Sequence, residues 1–288
     1  MKRAVVLSVL MLAPLFQRAI AAEPAIPLWK TMPAVAPMPV ADQSGLAPIN
    51  GIDLYYAVFN KAGGDPVILL HGGLGTSDQW GAEVPALATA RKVIVIDSRG
   101  HGRSTLGAQG LGYGLMASDV LGLMDYLKIS KASIVGWSDG GIIGLILAIH
   151  HPERIDKLFA FGANFNNADD PPEPPDPAGF ARYKARAEAD YRNLSSTPND
   201  FPKLLSALRK MYSKEPNIGA AELGTIRAKT VIADGQYEQF ISRKHTEMLA
   251  HLIPGAKLVI IPDVSHSGPA QDPIRFHQAV LNLLDGER

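Results

Sequence analysis

The sequence predicts an α/β fold, namely a mostly parallel, doubly wound sheet with an inserted helical cap. Two observations support this prediction. Short apolar runs alternate with helical patterns along most of the chain, and a proline-rich, helical stretch interrupts the alternation between residues 166 and 228. Alternating strands and helices favour a parallel sheet that is covered by helices on both faces.

The predicted strands are short apolar runs, hydrophobic on both faces, as parallel strands between two helical layers should be. Ahead of them, Asn50-Gly51 separates two alternating segments and predicts a hairpin with a tight turn. The six runs span residues 67–70, 93–96, 132–135, 157–160, 230–233 and 258–261.

The predicted cap spans residues 166–228 and divides the core into two parts, 46–165 and 229–288. Five prolines between residues 169 and 177 exclude regular structure there, and two amphipathic stripes follow. A helical layer packed elsewhere on the sheet is the alternative. One stripe holds Phe180, Tyr183, Ala187 and Tyr191, and the other holds Leu204, Leu205, Leu208, Met211 and Tyr212.

The first 21 residues are typical of an export signal: a charged start, an apolar run and an Ala-x-Ala cleavage motif at residues 19–21. The apolar run is shorter than the ~20 residues that cross a bilayer, which disfavours the alternative of an uncleaved anchor. We therefore expect an exported protein, periplasmic or secreted, without a stable membrane anchor. Residues 22–45, rich in proline and alanine, are predicted to be an N-terminal linker.

Composition excludes some classes of function. The 28 basic and 28 acidic residues cancel, so no surplus of positive charge is present to hold a nucleic acid backbone. The chain has no cysteine, which excludes disulfides and thiolate metal ligands. The oligomeric state cannot be predicted.

The strongest motif is Gly-Trp-Ser-Asp-Gly at residues 136–140, placed between a predicted strand and a predicted helix from Asp139 to His150. A serine at the apex of a sharp strand-to-helix turn exposes its hydroxyl, and side chains at positions 136 and 140 would clash there. Ser138 is therefore the candidate nucleophile.

A nucleophilic serine needs donors for the negative charge of a tetrahedral intermediate. His71-Gly72-Gly73 follows an early strand, and the backbone N–H groups of Gly73 and Asp139 are the candidate oxyanion hole. We expect His71 to brace this loop. A phosphate loop is disfavoured, because the Gly-x-Gly-x-x-Gly pattern would need a third glycine where Asp78 stands.

His266 is the candidate general base among eight histidines. It directly follows the last apolar strand, where a loop at the carboxyl edge of the sheet can return an imidazole to Ser138. A histidine on an exposed surface loop is the alternative.

The sequence resembles the α/β-hydrolase superfamily, in particular its small esterase-like members with a helical cap. Besides Ser138 and its flanking glycines, the likeness includes the His71 loop, the segment Asp97–Ser104 and the C-terminal Ser265-His266. The resemblance implies a Ser–His–acid triad, no cofactor and hydrolysis of an ester-like bond.

The third member of the implied triad is ambiguous. The family has an aspartate three residues after a glycine beyond the seventh strand, and here Gly235 is followed by Glu238, with Asp234 nearby. We predict Glu238 as the acid and keep Asp234 as the alternative, since either carboxylate could orient the imidazole.

The predicted function is hydrolysis of a carboxylic ester through an acyl-enzyme, with a small-molecule ester or lactone as substrate. Lactone hydrolysis by the same residues is the closest alternative, and hydrolysis of a carbon–carbon or amide bond ranks lower. A binding protein that retains the fold without activity is disfavoured, because a binder needs no Ser138, His266 and carboxylate set.

Overall fold

The structure is a computed structural model that describes residues 26–167 and 176–286. The predicted export signal lies outside the described residues, as does most of the proline-rich stretch. Pro177, at the end of that stretch, begins a helix instead of belonging to irregular structure, because a proline lacks the N–H that the first helical turn leaves unpaired in any case.

One eight-stranded sheet forms the centre of the molecule, in the order β1-β2-β4-β3-β5-β6-β7-β8. β1 and β2 pair antiparallel across the Asn50-Gly51 turn, in which both residues have positive φ. β2 is also antiparallel to β4, and the remaining neighbours are parallel. The strands are β1 (Gln43–Ile49), β2 (Ile52–Phe59), β3 (Gly64–Leu70), β4 (Arg91–Ile96), β5 (Ala132–Trp137), β6 (Ile155–Phe161), β7 (Lys229–Gly235) and β8 (Lys257–Ile261).

From β3 onward, helices lie between successive strands, and the inner parallel strands bury side chains on both faces, whereas the edge strand β8 is only partly buried. In β7, for example, Val231 and Ala233 belong to one apolar cluster, while Ile232 belongs to the cluster on the opposite face. The helices are α1 (Val84–Leu87), α2 (Tyr113–Tyr126), α3 (Asp139–His150), α4 (Pro177–Leu194), α5 (Phe201–Tyr212), α6 (Ala220–Leu223), α7 (Arg243–Leu252), α8 (Gly268–Gln271) and α9 (Pro273–Leu284). The predicted doubly wound α/β fold is confirmed.

The cap consists of α4, α5 and α6, which lie between β6 and β7 in the chain. The predicted stripes are its inward faces: Ala187 and Tyr191 of α4 are buried, as are Leu204, Leu208 and Met211 of α5. Cap side chains share a cavity with Ser138, so the cap covers the edge of the sheet at which the parallel strands end.

The N-terminal segment is a correction to the prediction. β1 begins at Gln43, inside the segment predicted as a linker (22–45), and residues 26–42 pack on the core and the cap. Proline-rich sequence shows no helical or strand period, yet its carbonyl groups still accept hydrogen bonds from side chains of a folded neighbour. Within the described residues, no helix combines the length and apolar character needed to span a membrane.

Candidate active site

Ser138 occupies the turn between β5 and α3, with φ 53° and ψ −118°. A non-glycine residue rarely adopts such angles, and surrounding structure has to hold it there. The Ser138 N–H donates to the carbonyl of Phe161 on the neighbouring strand at 2.8 Å, and the Ser138 carbonyl accepts from Gly141 at 2.8 Å. The strand and the helix together therefore fix the strained serine.

The glycines on either side of Ser138 are required by close backbone packing. A Cβ atom at Gly136 would lie 2.3 Å from the carbonyl oxygen of Gly140, and one at Gly140 would lie 2.1 Å from that of Leu70. The predicted clash at positions 136 and 140 is thus confirmed. Any larger residue would move the helix away from the sheet and the serine with it.

The predicted oxyanion hole lies beside the serine. A Cβ atom on Gly72 would meet the Ser138 Cβ at 3.1 Å, so the loop after β3 passes directly along the turn. Among the described residues, neither the Gly73 N–H nor the Asp139 N–H donates to a protein acceptor. Both donors are therefore available to a bound oxyanion.

His71 braces this loop, as the sequence suggested. Its Nδ1 donates to the carbonyl of Gly72 at 2.7 Å, and its Nε2 accepts from the Ser98 N–H at 2.9 Å. Burial lowers the pKa of His71, so the ring stays neutral and can both donate and accept. The ring joins the loop after β3 to the loop after β4.

The structure brings His266 and Glu238 together. The His266 Nδ1 lies 2.9 Å from both carboxylate oxygens of Glu238. An ionised carboxylate only accepts, so Nδ1 carries the proton and Nε2 is left free to act as a base. The His266 carbonyl accepts from the Trp137 indole at 2.7 Å, which fixes the loop beside the serine.

Gly162, whose φ is +60°, lies directly against the His266 imidazole. A Cβ atom at this position would lie 2.8 Å from the His266 Cε1. Gly162 is a site residue that the sequence analysis missed. Its position directly after the apolar run of β6 is the feature that could have indicated it.

The two candidate acids differ in environment. Burial raises the pKa of Glu238. The charge of His266 and the hydrogen bonds that the Glu238 carboxylate accepts outweigh burial and lower this pKa to about 2. Burial and the charge of Glu238 raise the pKa of Asp234. Asp234 accepts from the Gly235 N–H and from the Thr246 hydroxyl at 2.6 Å. Glu238 is thus the carboxylate at the imidazole, and Asp234 lies behind it.

Ser138 and His266 border the same two cavities. In the part of the chain that the structure describes, no hydrogen bond joins the serine hydroxyl to the imidazole. Such bonds are often long in substrate-free enzymes and shorten when substrate binds.

The Asp139 side chain forms a polar contact that sequence reasoning did not anticipate. Its two oxygens accept from the hydroxyls of Tyr113, at 2.7 Å, and Tyr212 of the cap, at 2.8 Å. Burial raises the pKa of Asp139, and the two phenol donors oppose that shift. The Tyr183 hydroxyl donates to the Gly73 carbonyl at 2.9 Å, so the cap contacts both oxyanion-hole residues.

Within residues 26–167 and 176–286, no group of three or more His, Asp or Glu side chains is placed to hold a metal ion.

Comparison with known proteins shows which proteins this chain is similar to. Residues 65–197 match the family profile described as the alpha/beta hydrolase fold. The "Putative carbamate hydrolase RutD" of Caulobacter sp. (strain K31) is 29% identical over 276 residues, covering 81% of this chain and 96% of that protein. The serine hydrolase BPHL of Mus musculus is 27% identical, covering 87% of this chain and 89% of that protein.

Solved structures agree with the family profile. Est816, described as an N-acyl homoserine lactone degrading enzyme, superposes with a TM-score of 0.63 at 26% identity, covering 83% of this chain and 98% of that one. The family profile and the match of fold over most of both chains show that this chain has the α/β-hydrolase fold and is similar to hydrolases that share it.

Proposed function

We propose that the protein is a serine esterase that hydrolyses a carboxylic ester through an acyl-enzyme. The observation that carries the proposal is the His266–Glu238 pair at the strained Ser138, beside the backbone N–H groups of Gly73 and Asp139, which have no protein acceptor among the described residues. Nucleophile, oriented base and oxyanion donors are the parts that acyl transfer needs.

In the first half of the proposed reaction, the His266 Nε2 removes the proton of the Ser138 hydroxyl as the serine oxygen attacks the carbonyl carbon. The N–H groups of Gly73 and Asp139 stabilise the oxyanion of the tetrahedral intermediate. The intermediate collapses when the bond to the alcohol oxygen breaks, and the imidazolium returns the proton to the departing alcohol. Glu238 stabilises the imidazolium throughout.

In the second half, a water molecule takes the place of the alcohol. His266 removes one of its protons, the hydroxyl attacks the acyl carbon, and the second tetrahedral intermediate releases the acid and restores Ser138. Without an oriented imidazole, neither half has a base.

Lactone hydrolysis is the second candidate, since a lactone is a cyclic ester and would use the same residues. The likeness to Est816 favours it. The carbamate hydrolysis named for the Caulobacter relative would likewise proceed by acyl transfer at a carbonyl. A cavity of about 660 Å³ under the cap lies within the ~300–1,000 Å³ range typical of small-molecule sites.

The test is a panel of p-nitrophenyl esters, aliphatic esters and lactones, assayed with the wild-type protein and with Ser138→Ala. Ester turnover that disappears in Ser138→Ala supports the proposal, and turnover of lactones alone would replace it with the second candidate. A fluorophosphonate probe should add one label per chain, on the peptide that spans residues 136–140. Persistent turnover or labelling in Ser138→Ala would refute the assignment of the nucleophile.

We further propose that the protein is exported, with the mature chain beginning at Ala22 or Glu23, because the first 21 residues have the pattern of a cleavable signal. Expression in a Gram-negative host, followed by fractionation and N-terminal sequencing, tests this. An intact Met1 on protein confined to the cytosol would contradict it.

A further inference from the structure

The N-terminal arm, defined as residues 26–42, crosses the opening of the candidate active site. The Arg186 guanidinium of α4 donates to the Pro33 carbonyl at 2.9 Å. The Trp29 ring stacks on the Tyr237 ring, with centroids 4.9 Å apart and planes 19° apart. Tyr237 directly precedes Glu238. The arm therefore contacts the cap and the loop that carries the candidate acid.

A single buried amide joins the arm to the loop of the candidate base. The Gln271 side chain is 7% exposed, and its amide nitrogen donates to the carbonyls of Trp29, at 3.1 Å, and Thr31, at 2.9 Å. Its amide oxygen accepts from the Ser265 N–H at 2.7 Å, directly before His266. All the polar atoms of this amide are thus satisfied when the arm is docked, and its nitrogen would lose both partners if the arm left.

The arm bounds a second, smaller cavity at the catalytic pair. This cavity is about 80 Å³, and Trp29 and Met32 of the arm border it together with Ser138 and His266. The large cavity under the cap also reaches Ser138 and His266, but no arm residue borders it. Two spaces of very different size therefore meet at the nucleophile, and the arm limits only the smaller one.

The small cavity has an apolar wall. Trp29 and Met32 supply it from the arm, Phe180 from the cap and Phe240 from the loop after Glu238. The charged side chains bordering it include Asp176 and Arg182, which form a salt bridge with each other at 3.8 Å. The volume of about 80 Å³ and the apolar wall suit a short apolar substituent.

We propose that the arm determines specificity by limiting the size of one substituent of the substrate. The ester places a short apolar group, methyl to propyl in size, against Trp29 and its larger group under the cap. This inference rests on the proposed function, because it assigns the two cavities to the two sides of a scissile carbonyl bound at Ser138. Trp29 acts here through shape and takes no part in proton transfer.

The experiment uses two ester series. In one the acyl chain grows from acetyl to hexanoyl with a fixed large alcohol, and in the other the alcohol grows from methyl to hexyl with a fixed large acyl group. Wild-type kcat/KM should fall about tenfold or more along one series, the scale at which a pocket excludes one or two extra methylenes. Trp29→Ala should recover about tenfold for the long members of that series, so that kcat/KM no longer falls with chain length.

Leu28→Ala is the matched control, since Leu28 lies in the same helical turn, is 36% exposed and does not border the small cavity. It should keep the wild-type dependence on chain length. Melting temperature and the rate of fluorophosphonate labelling verify that each variant is folded and retains its nucleophile. A Trp29→Ala variant that is folded, labelled and unchanged in both series overturns the inference.

Failure of the proposed function gives a different result. If no ester is hydrolysed but Ser138 is labelled, phosphonate probes with short and long alkoxy groups replace the esters. The rates at which they label Ser138 then report the size limit of the small cavity. Trp29→Ala should then accelerate only the long probe. If Ser138 is neither acylated nor labelled, the proposed function fails and the specificity inference fails with it.

Discussion

Replacing Glu238 with glutamine changes one atom of the candidate site and leaves the shape of the side chain intact. The Glu238 Oε1 accepts from the backbone N–H groups of Gln239 and Phe240, each at 2.7 Å, while both oxygens lie 2.9 Å from the His266 Nδ1. The two backbone donors will hold the amide oxygen of glutamine at the Oε1 position. The amide oxygen then still lies 2.9 Å from Nδ1, but the amide nitrogen takes the equally close Oε2 position and brings a second donor to the Nδ1 proton.

The substitution therefore removes the negative charge that stabilises the imidazolium and weakens the preference for the tautomer with its proton on Nδ1, the one whose Nε2 can accept the proton of Ser138. Loss of the orienting carboxylate in a triad lowers kcat by about 10²–10⁴, or about 2.7–5.4 kcal/mol of activation free energy. Asp234→Asn is the matched control, because it makes the same chemical change at a carboxyl that interacts with Glu238, Thr246 and the Gly235 N–H and, within the described residues, makes no hydrogen bond to His266. Since the pKa of Asp234 is raised, its amide resembles the protonated side chain, and we expect a much smaller loss.

The assay is kcat on the best ester of the panel for both variants, with melting temperature and fluorophosphonate labelling as checks of fold and pocket. The reverse ranking, in two variants that melt like the wild type, would transfer the orienting role to Asp234. Equal and small effects in both variants would refute the triad itself.

Three further outcomes are expected. Gly162→Ala should lower kcat about 10²-fold by displacing the His266 ring by a fraction of an ångström to one ångström, and unchanged kcat in a folded variant would contradict the close approach. Burial and a neighbouring negative charge raise the pKa of Asp234 in the folded protein. Protonated Asp234 therefore contributes to the free energy of unfolding at pH below the ordinary aspartate pKa of ~3.9, and this contribution is lost as pH rises through the pKa of the folded state. The melting temperature of Asp234→Asn minus that of the wild type should therefore increase as pH rises above about 4. A difference that does not change with pH would refute this. Arg99→Met, which leaves the buried Asp119 without its bidentate partner, should cost about 3–5 kcal/mol in denaturant unfolding, and a loss below 1 kcal/mol would show that water or a relaxed loop compensates.

The parts of the fold that local sequence specifies were predictable. Short runs that are apolar on both faces are typical of a covered parallel sheet, and all six predicted runs lie within strands, the last of them in the partly exposed edge strand β8. The helix after Ser138 spans Asp139–His150, as predicted, because its apolar character on all sides and the following Pro152 determine its ends. His266 was expected near Ser138 for the same reason, because the loop after the last parallel strand lies at the carboxyl edge of the sheet.

The remaining features depend on contacts between distant residues. Nothing in the sequence near Asp139 indicates that its oxygens would accept from Tyr113 and Tyr212, because these hydroxyls come from different helices. The choice between Glu238 and Asp234 was likewise open until the side-chain direction at the end of β7 was known. The arm was misassigned as a linker, since a proline-rich segment carries no periodicity and its hydrogen-bond donors lie elsewhere in the chain.

The docking of the arm also has a consequence for the order of folding. Gln271 lies 242 residues from Trp29 and 240 from Thr31, so the first described segment of the chain is held by one of the last. Such a long loop closes at an entropic cost that is recovered only after the intervening core has formed. We expect arm docking to be a late step in folding and undocking to be an early local opening under denaturant. During refolding, a nearly native species should therefore form with its catalytic pair assembled and its small cavity still open, and it should accept long esters more readily than the finished enzyme.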